Sequence, residues 1–298
     1  EAEKTEEAFY ENKKIIVDNI SRLAVTARGN AVSVKLSGLE DHEFFRRINN
    51  TNTLRSTDDE HRYNILLKRL DCICRQASEK GILVYIDAED HYMQDVFDHL
   101  TEIMMERYNT QTATVYNTLQ MYLTDRPEYL KKLLDKSRSK KFYPGIKLVR
   151  GAYVEKEKEA ARLAGIPSPV YHSKTETDAA FNQAVELCLA NHDYVYTCIA
   201  SHNLQSTEFA LECINRYNIQ DHTSKVKFSQ LLGMSDHLTF NLAAAGFNAS
   251  KYLPYGEIKK AIPYLIRRAE ENSSIGGQIS EETNRLKEEL FRRKTVKQ

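Results

Sequence analysis

The segment Tyr264-Leu-Ile-Arg267-Arg268-Ala-Glu-Glu271-Asn272 carries the densest charge chemistry in the chain. Two adjacent guanidiniums repel each other, and both stay charged at any physiological pH. Such a pair is tolerated in water, or where an anion sits between its members. Turned inward, it is a clamp for a carboxylate or a phosphate. Glu271 follows Arg267 by four residues and Arg268 by three, a helical spacing that lets a carboxylate hold a guanidinium in place. Helical periodicity puts Ile258, Ala261, Ile262, Leu265 and Ala269 on the buried stripe. Tyr264, Arg268 and Glu271 fall on a neighbouring arc with Arg267 at its edge, so periodicity alone describes a solvated flank. Clamp and flank both stand at this point.

Three further clusters could do chemistry. Lys147-Leu-Val-Arg150-Gly151-Ala152-Tyr153 sets two cations before a Gly-Ala step and a phenol after it. A strand ending in Gly-Ala lets a flat ligand approach the backbone, whereas a solvated strand end with a turn glycine is the plain reading. In Ile86-Asp87-Ala88-Glu89, strand alternation would turn both carboxylates to one face, and a helix N-terminus would favour them equally. Ala200-Ser201-His202-Asn203 gathers donors where a strand gives way to a helix, and Ser201 or Asn203 suits an N-cap there. A metal site at His91, Asp95 and His99 is the weaker reading. Those residues oppose the apolar face of Met93, Val96, Phe97, Leu100 and Met104, which marks them as a solvated face. His42, His61, His172, His192, His222 and His237 have no ligand-like company.

These clusters must be positioned by a regular frame. Strands are expected at Ala31–Leu36, Ile82–Ile86, Thr114–Gln120, Gly145–Val149, Tyr194–Ala200, Lys225–Leu231 and Tyr252–Leu253. Helical patterns lie near 5–28, 57–80, 90–108, 126–140, 174–191, 204–217, 235–245, 255–272 and 280–294. Strand–helix alternation with short loops implies parallel strands joined by crossover helices. An eighth strand upstream would complete a (β/α)8 TIM-like barrel formed by residues 1–298 as a single domain. No Gly-rich dinucleotide fingerprint supports an open doubly wound sheet instead. Barrel chemistry sits at the C-terminal ends of the strands. Lys35, Asp87, Gln120, Lys147, Ser201, Gln230 and Tyr252 lie on or just after successive strand ends.

Lysine plus arginine equals aspartate plus glutamate at 42 each over 298 residues. That balance argues against nucleic-acid binding or strong electrostatic attachment to membranes. No apolar run is long enough to span a bilayer. The five cysteines have no framework spacing, and Cys72-Ile-Cys74 lies in a helical pattern where cysteine is a small core residue, which points to a reducing compartment. The opening Glu1-Ala-Glu-Lys-Thr reads like the interior of a longer protein.

In order along the chain, Val34-Lys35-Leu36-Ser37, Ile86 to Glu89, Tyr116 to Gln120, Lys147 to Tyr153, Ser201 to Asn203, Gln230 to Met234, Tyr252 to Gly256 and Tyr264 to Asn272 resemble the motifs of the proline dehydrogenase family, monofunctional branch. The resemblance implies a (β/α)8 barrel whose last helix lies over the mouth with its arginines turned down. The first strand of the barrel would be missing from this chain. It implies FAD as cofactor, and oxidation of L-proline to Δ1-pyrroline-5-carboxylate by hydride transfer from C5 to flavin N5. Electrons would pass to a quinone, with peripheral membrane contact and no metal. Lys35, Arg267 and Arg268 would hold the substrate carboxylate, and Leu231, Tyr252 and Tyr264 would wall the ring. Asp87 and Tyr153 would form a hydrogen-bonded pair beside ring and flavin, and Lys147 would approach N5. Ala88, Gln120, Arg150, Gly151, Ala152, Ser201, His202 and Glu271 would contact FAD. Lysine and arginine at 147 and 150 are swapped relative to the bifunctional bacterial branch, and lysine makes no bidentate contact. The implied location is the bacterial cytoplasm at the inner membrane face, or the mitochondrial matrix or inner membrane. Alternatives are a hydroxyproline dehydrogenase, or another flavin-dependent barrel oxidoreductase acting on a cyclic amino acid.

Overall fold

The computed structural model describes residues 5–26, 31–49 and 56–254, with the single positions 262, 266, 287 and 292. Seven strands form one sheet in sequential order, every neighbouring pair parallel: β1 Ala31–Lys35, β2 Leu83–Asp87, β3 Val115–Gln120, β4 Gly145–Val149, β5 Tyr196–Ala200, β6 Val226–Leu231 and β7 Asn248–Tyr252. Among the described residues, β1 and β7 are its two edges. The helices between them are α1 Glu6–Ala24, α2 His42–Ile48, α3 Thr57–Lys80, α4 Gln94–Tyr108, α5 Arg126–Lys140, α6 Val154–Ala164, α7 Lys174–Ala190, α8 Leu204–Arg216, α9 His222–Lys225 and α10 Asp236–Ala244.

The sheet is strongly curled. Strands two to seven of a flat sheet would place β2 and β7 about 24 Å apart. Here the Tyr252 hydroxyl at the end of β7 donates to Asp87 Oδ2 at the end of β2 across 3.0 Å. Alternation along the strands explains which residues face each way. Val34, Val84, Ile86, Val115, Leu119, Ile146, Leu148, Ile199, Val226 and Phe228 point outward and form one core with the helices. Burying each such side chain stabilises by about 1.5–3 kcal/mol. The opposite face carries Tyr85, Tyr116 and Cys198, a small separate cluster inside the curl. Gly145 stands there because a Cβ would lie 2.5 Å from the Val115 carbonyl oxygen and 2.8 Å from the Tyr116 ring.

The helix ends follow from local chemistry. Ser56 accepts from the Asp59 amide at the start of α3, and Gly81 closes it in the left-handed region. Ser173 and Glu176 form a capping box on α7. The helices expected at 57–80 and 126–140 occupy those positions. Four expectations are corrected. The last strand is Asn248–Tyr252, so Tyr252 ends it rather than opening it. Asn-Ala-Ser-Lys-Tyr is poor in β-formers, and its ladder with β6 overrides that weakness. The expected helix near 90–108 is a 3-10 turn His91–Met93 followed by α4. The short α2 and the charged α6 were not anticipated, because neither shows a long apolar period. Ile262 and Ile266 are helical, but Ile262, placed on the buried stripe, is 44% exposed. The rest of the expected 255–272 and 280–294 helices lies outside the described residues, apart from helical Lys287 and Arg292.

The loops at the C-terminal rim are tied together by charge. Lys156 of α6 pairs with Asp90 at 2.7 Å, and Glu157 accepts from the His91 amide at 2.7 Å. His91 Nε2 faces Asp125 at 3.9 Å, while Asp95 and His99 are exposed as expected of a solvated face. The Asp125 carboxylate holds the His91 imidazole above its ordinary pKa, helped by the charge of Glu157 and opposed by burial and Arg126. A raised folded-state pKa stabilises fully below the unfolded value of about 6.5 and is lost as pH rises through the folded one. Asp125→Asn is therefore expected to lower the His91 titration midpoint read by NMR of its ring protons. It should also flatten the stability gain seen on acidification toward pH 6.5. An unchanged midpoint would contradict this pairing.

Candidate functional site

A cavity of about 710 Å³ opens at the C-terminal ends of the strands. Its wall contains Lys35, Asp87, Ala88, Gln120, Lys147, Arg150, Gly151, Ala152, Tyr153, Ser201, His202, Leu231 and Tyr252. The structure thus brings together residues named from the sequence across more than two hundred positions of chain. Tyr264, Arg267, Arg268 and Glu271 lie outside the described residues.

At its centre stands a buried charge pair. Lys147, on the inner face of β4, donates to Asp87 Oδ1 at 2.8 Å, with both side chains about nine-tenths buried. The ammonium also lies 5.3 Å from the centre of the Tyr85 ring and 5.1 Å from that of Tyr252. Two π-faces and a carboxylate surround one cation, which repays its desolvation. Tyr252 donates to the other Asp87 oxygen. The expected hydrogen bond between Asp87 and Tyr153 is not formed. Among the described residues the carboxylate is held by Lys147 and Tyr252, because both reach it from the inner faces of strands. Tyr153 also lines the cavity, but from the N-cap position of α6 rather than from a strand. Lys35 lines the cavity at the end of β1 and makes no ion pair among the described residues, so it can meet an incoming anion.

Other placements refine the sequence reading. Asp87 and Glu89 do not share a task. Glu89 turns to β1, accepting from Ser37 through its amide at 3.1 Å and its hydroxyl at 2.5 Å. Burial pushes the Glu89 carboxyl up, opposed by those bonds and by the charge of Lys35. Gln120 donates to the Glu89 carbonyl at 2.8 Å, joining β3 to the same corner. Arg150 is held by the protein. It donates to Asp178 at 2.6 Å and to Ser201 and Ser206 at 2.8 Å each, over the Phe181 ring. Two of its five N–H groups remain for a ligand. Gly151 is required by a neighbour rather than by a ligand, since a Cβ there would fall 2.0 Å from the Tyr122 ring and its φ is +132°. Asn203 is the N-cap of α8, accepting from the Ser206 amide, and Ser201 accepts from the Asn203 amide. His202 Nδ1 lies 3.2 Å from Ser235 Oγ.

The sequence reading missed Thr118, Val149, Ala200, Ser229 and Met234, which also line the cavity. The first four sit on inner faces, and the two-residue period that pointed to the strand ends would have found them one step lower. Asp178, Ser206 and Asn182, which steady Arg150, carry no local signal. Among the described residues no three His, Cys, Asp or Glu side chains are arranged to hold a metal ion, and no helix is long and apolar enough to cross a membrane.

The sequence model of the family described as "Proline dehydrogenase" matches residues 1–281. The chain is 34% identical over 245 residues to Proline dehydrogenase 1, mitochondrial, of Drosophila melanogaster, covering 79% of this chain and 36% of that protein. It is 36% identical over 231 residues to Hydroxyproline dehydrogenase of Xenopus laevis, covering 76% and 50%. It therefore spans about a third to a half of these relatives. Its fold is similar to that of proline utilization A from Bdellovibrio bacteriovorus, with a TM-score of 0.79 at 23% identity, over 90% of this chain and 28% of that one. The order of the strands, the cavity at their C-terminal ends and a family match over nearly the whole length agree, and the chain belongs to the proline dehydrogenase family.

Proposed function

We propose that residues 1–298 form the catalytic domain of an FAD-dependent proline dehydrogenase that oxidises L-proline to Δ1-pyrroline-5-carboxylate. In this reading the curled sheet is part of a (β/α)8 barrel. The observation that carries it is the Lys147–Asp87–Tyr252 constellation inside a cavity rimmed by Lys35, in a chain of this family.

The wall suits a flavin. Val149, Ala152, Leu231 and Met234 offer apolar surface for a flat ring, while Lys147, Gln120, Ser201 and His202 offer polar edges. The Thr118 hydroxyl, buried in the same wall, has no hydrogen-bond partner among the described residues and can be satisfied by a ligand. Ala88, Gln120, Arg150, Gly151, Ala152, Ser201 and His202 would hold the group, with Glu271 beyond the described residues. When bound, FAD would supply the hydride acceptor, with a quinone as the final acceptor of the electrons.

The chain's own residues supply position and field. Lys35, with Arg267 and Arg268 from outside the described residues, binds the substrate carboxylate. A lysine gives a point charge and the arginines a fork, which together fix the ring's orientation. Tyr252 and Leu231 form the wall against the ring, joined by Tyr264. Lys147, held in place by Asp87, would offer its side-chain nitrogen to the bound ring without having to reorganise during reaction. Each Asp87 oxygen keeps a second lone pair, which can take the proton that the amine must lose. A neighbouring water is the competing acceptor. Peripheral contact with a membrane carrying the quinone, and a mitochondrial or bacterial inner-membrane location, extend this reading from relatives named mitochondrial.

A second reading, oxidation of a hydroxylated proline, is favoured by the likeness to the Xenopus protein. Tyr252 weighs against it. Its hydroxyl is committed to Asp87, so the ring is held in place and leaves little room for a 4-hydroxyl. Anaerobic addition of L-proline to the FAD-loaded protein is expected to bleach the visible flavin absorbance, and an unchanged spectrum would defeat the proposal. Tyr252→Ser is expected to narrow the preference for proline over 4-hydroxyproline by about tenfold in kcat/KM. An unaltered ratio would remove Tyr252 from specificity.

A further inference from the structure

We infer that the Thr118 hydroxyl is a ligand-contact group, a hydrogen-bonding partner for the flavin ring beside Lys147. The inference rests on the flavin reading above and adds a residue to it.

Thr118 occupies the middle of β3 and is 3% exposed. Its orientation is fixed by its neighbours. Asn117 points outward and donates to Asp98 at 2.8 Å and to Tyr129 at 3.1 Å, while Leu119 is packed in the outer core. Alternation therefore commits Thr118 to the inner face, where it lines the cavity. The ladder pairs it with Lys147 on β4. Its Oγ1 is buried and has no hydrogen-bond partner among the described residues.

A buried hydroxyl without a partner is a cost, because the water it gave up is not replaced. Val149 and Ala200, also lining the cavity, show that apolar residues are accommodated in this wall. Valine has the same branched shape and forms strands at least as well. The β-branched side chain is also stiff, so the hydroxyl cannot swing far to find a substitute partner. An uncompensated polar group facing a cavity is explained if the occupant completes it. Lys147 can only donate, whereas a threonine hydroxyl can donate or accept. Together they present two adjacent polar groups to one edge of a heteroaromatic ring.

Tyr116 provides an internal control. It lies two residues earlier on the same face, and its hydroxyl is also buried without a partner, but it does not line the cavity. Removing either hydroxyl should relieve the same kind of cost, yet of the two residues Thr118 is the one in the cavity wall.

The test compares the wild type with Thr118→Val, Thr118→Ser and Tyr116→Phe. Melting of the FAD-free proteins and FAD affinity by fluorescence quenching are both measured. Thr118→Val and Tyr116→Phe are expected to melt at the wild-type temperature or about 2–4 °C above it. Thr118→Val should bind FAD about five- to tenfold more weakly, while Thr118→Ser and Tyr116→Phe bind as the wild type does. Equal FAD affinity in Thr118→Val and wild type overturns this inference alone. A Thr118→Val protein that melts lower or fails to fold also overturns it, because the hydroxyl would then be structural. A wild type that binds no FAD overturns the proposed function and this inference together.

Discussion

The molecule is organised around one buried cation. Lys147 cannot sit inside the curled sheet without a counter-charge, because an uncompensated ammonium in such surroundings costs several kcal/mol. Asp87 supplies the charge and Tyr85 and Tyr252 supply π-faces. These four residues come from β2, β4 and β7, so bringing all of them together requires the sheet to close far enough for β7 to reach β2. The curl and the site are thus one constraint. A flatter sheet would break the Tyr252–Asp87 hydrogen bond and take one π-face away from Lys147.

Around that centre the rim is built from side chains that hold one another. Glu89 ties the end of β1, next to Lys35, to the end of β2, and Gln120 extends the tie to β3. Arg150 is locked by Asp178, Ser201 and Ser206, and Ser206 is itself backed by Asn182 at 2.7 Å. Lys156–Asp90 and Glu157–His91 fasten α6 beside the mouth. Side chains of the cavity wall are thereby held in fixed positions, which lowers the entropy that ordering them around a ligand would cost.

Much of this was readable from residue order. The β/α alternation and the positions of α3 and α5 followed from period and caps, and the strand ends led to Lys35, Asp87, Gln120, Lys147 and Tyr252. Partnerships were harder, because they depend on which inner faces meet across the curl. Asp87 binds Lys147 and Tyr252 rather than Tyr153. Gly151 accommodates Tyr122, and Arg150 is spent largely on the protein. The β7 strand and α6 escaped a reading based on local preference, since Asn248–Tyr252 is held by its ladder and Val154–Ala164 by contacts of Glu157 and Lys156. Thr118 lies two residues before the end of β3, and its significance is a missing bond that only packing can show.

The most direct measurement is a crystal structure of the FAD-loaded protein with cyclopentanecarboxylate, which has the ring and carboxylate of proline without the oxidisable nitrogen. The account predicts its carboxylate within about 4 Å of the Lys35 ammonium, with the ring against Tyr252 and Lys147 still bonded to Asp87. A carboxylate bound outside the cavity, or a Lys147–Asp87 pair broken in the complex, would contradict it.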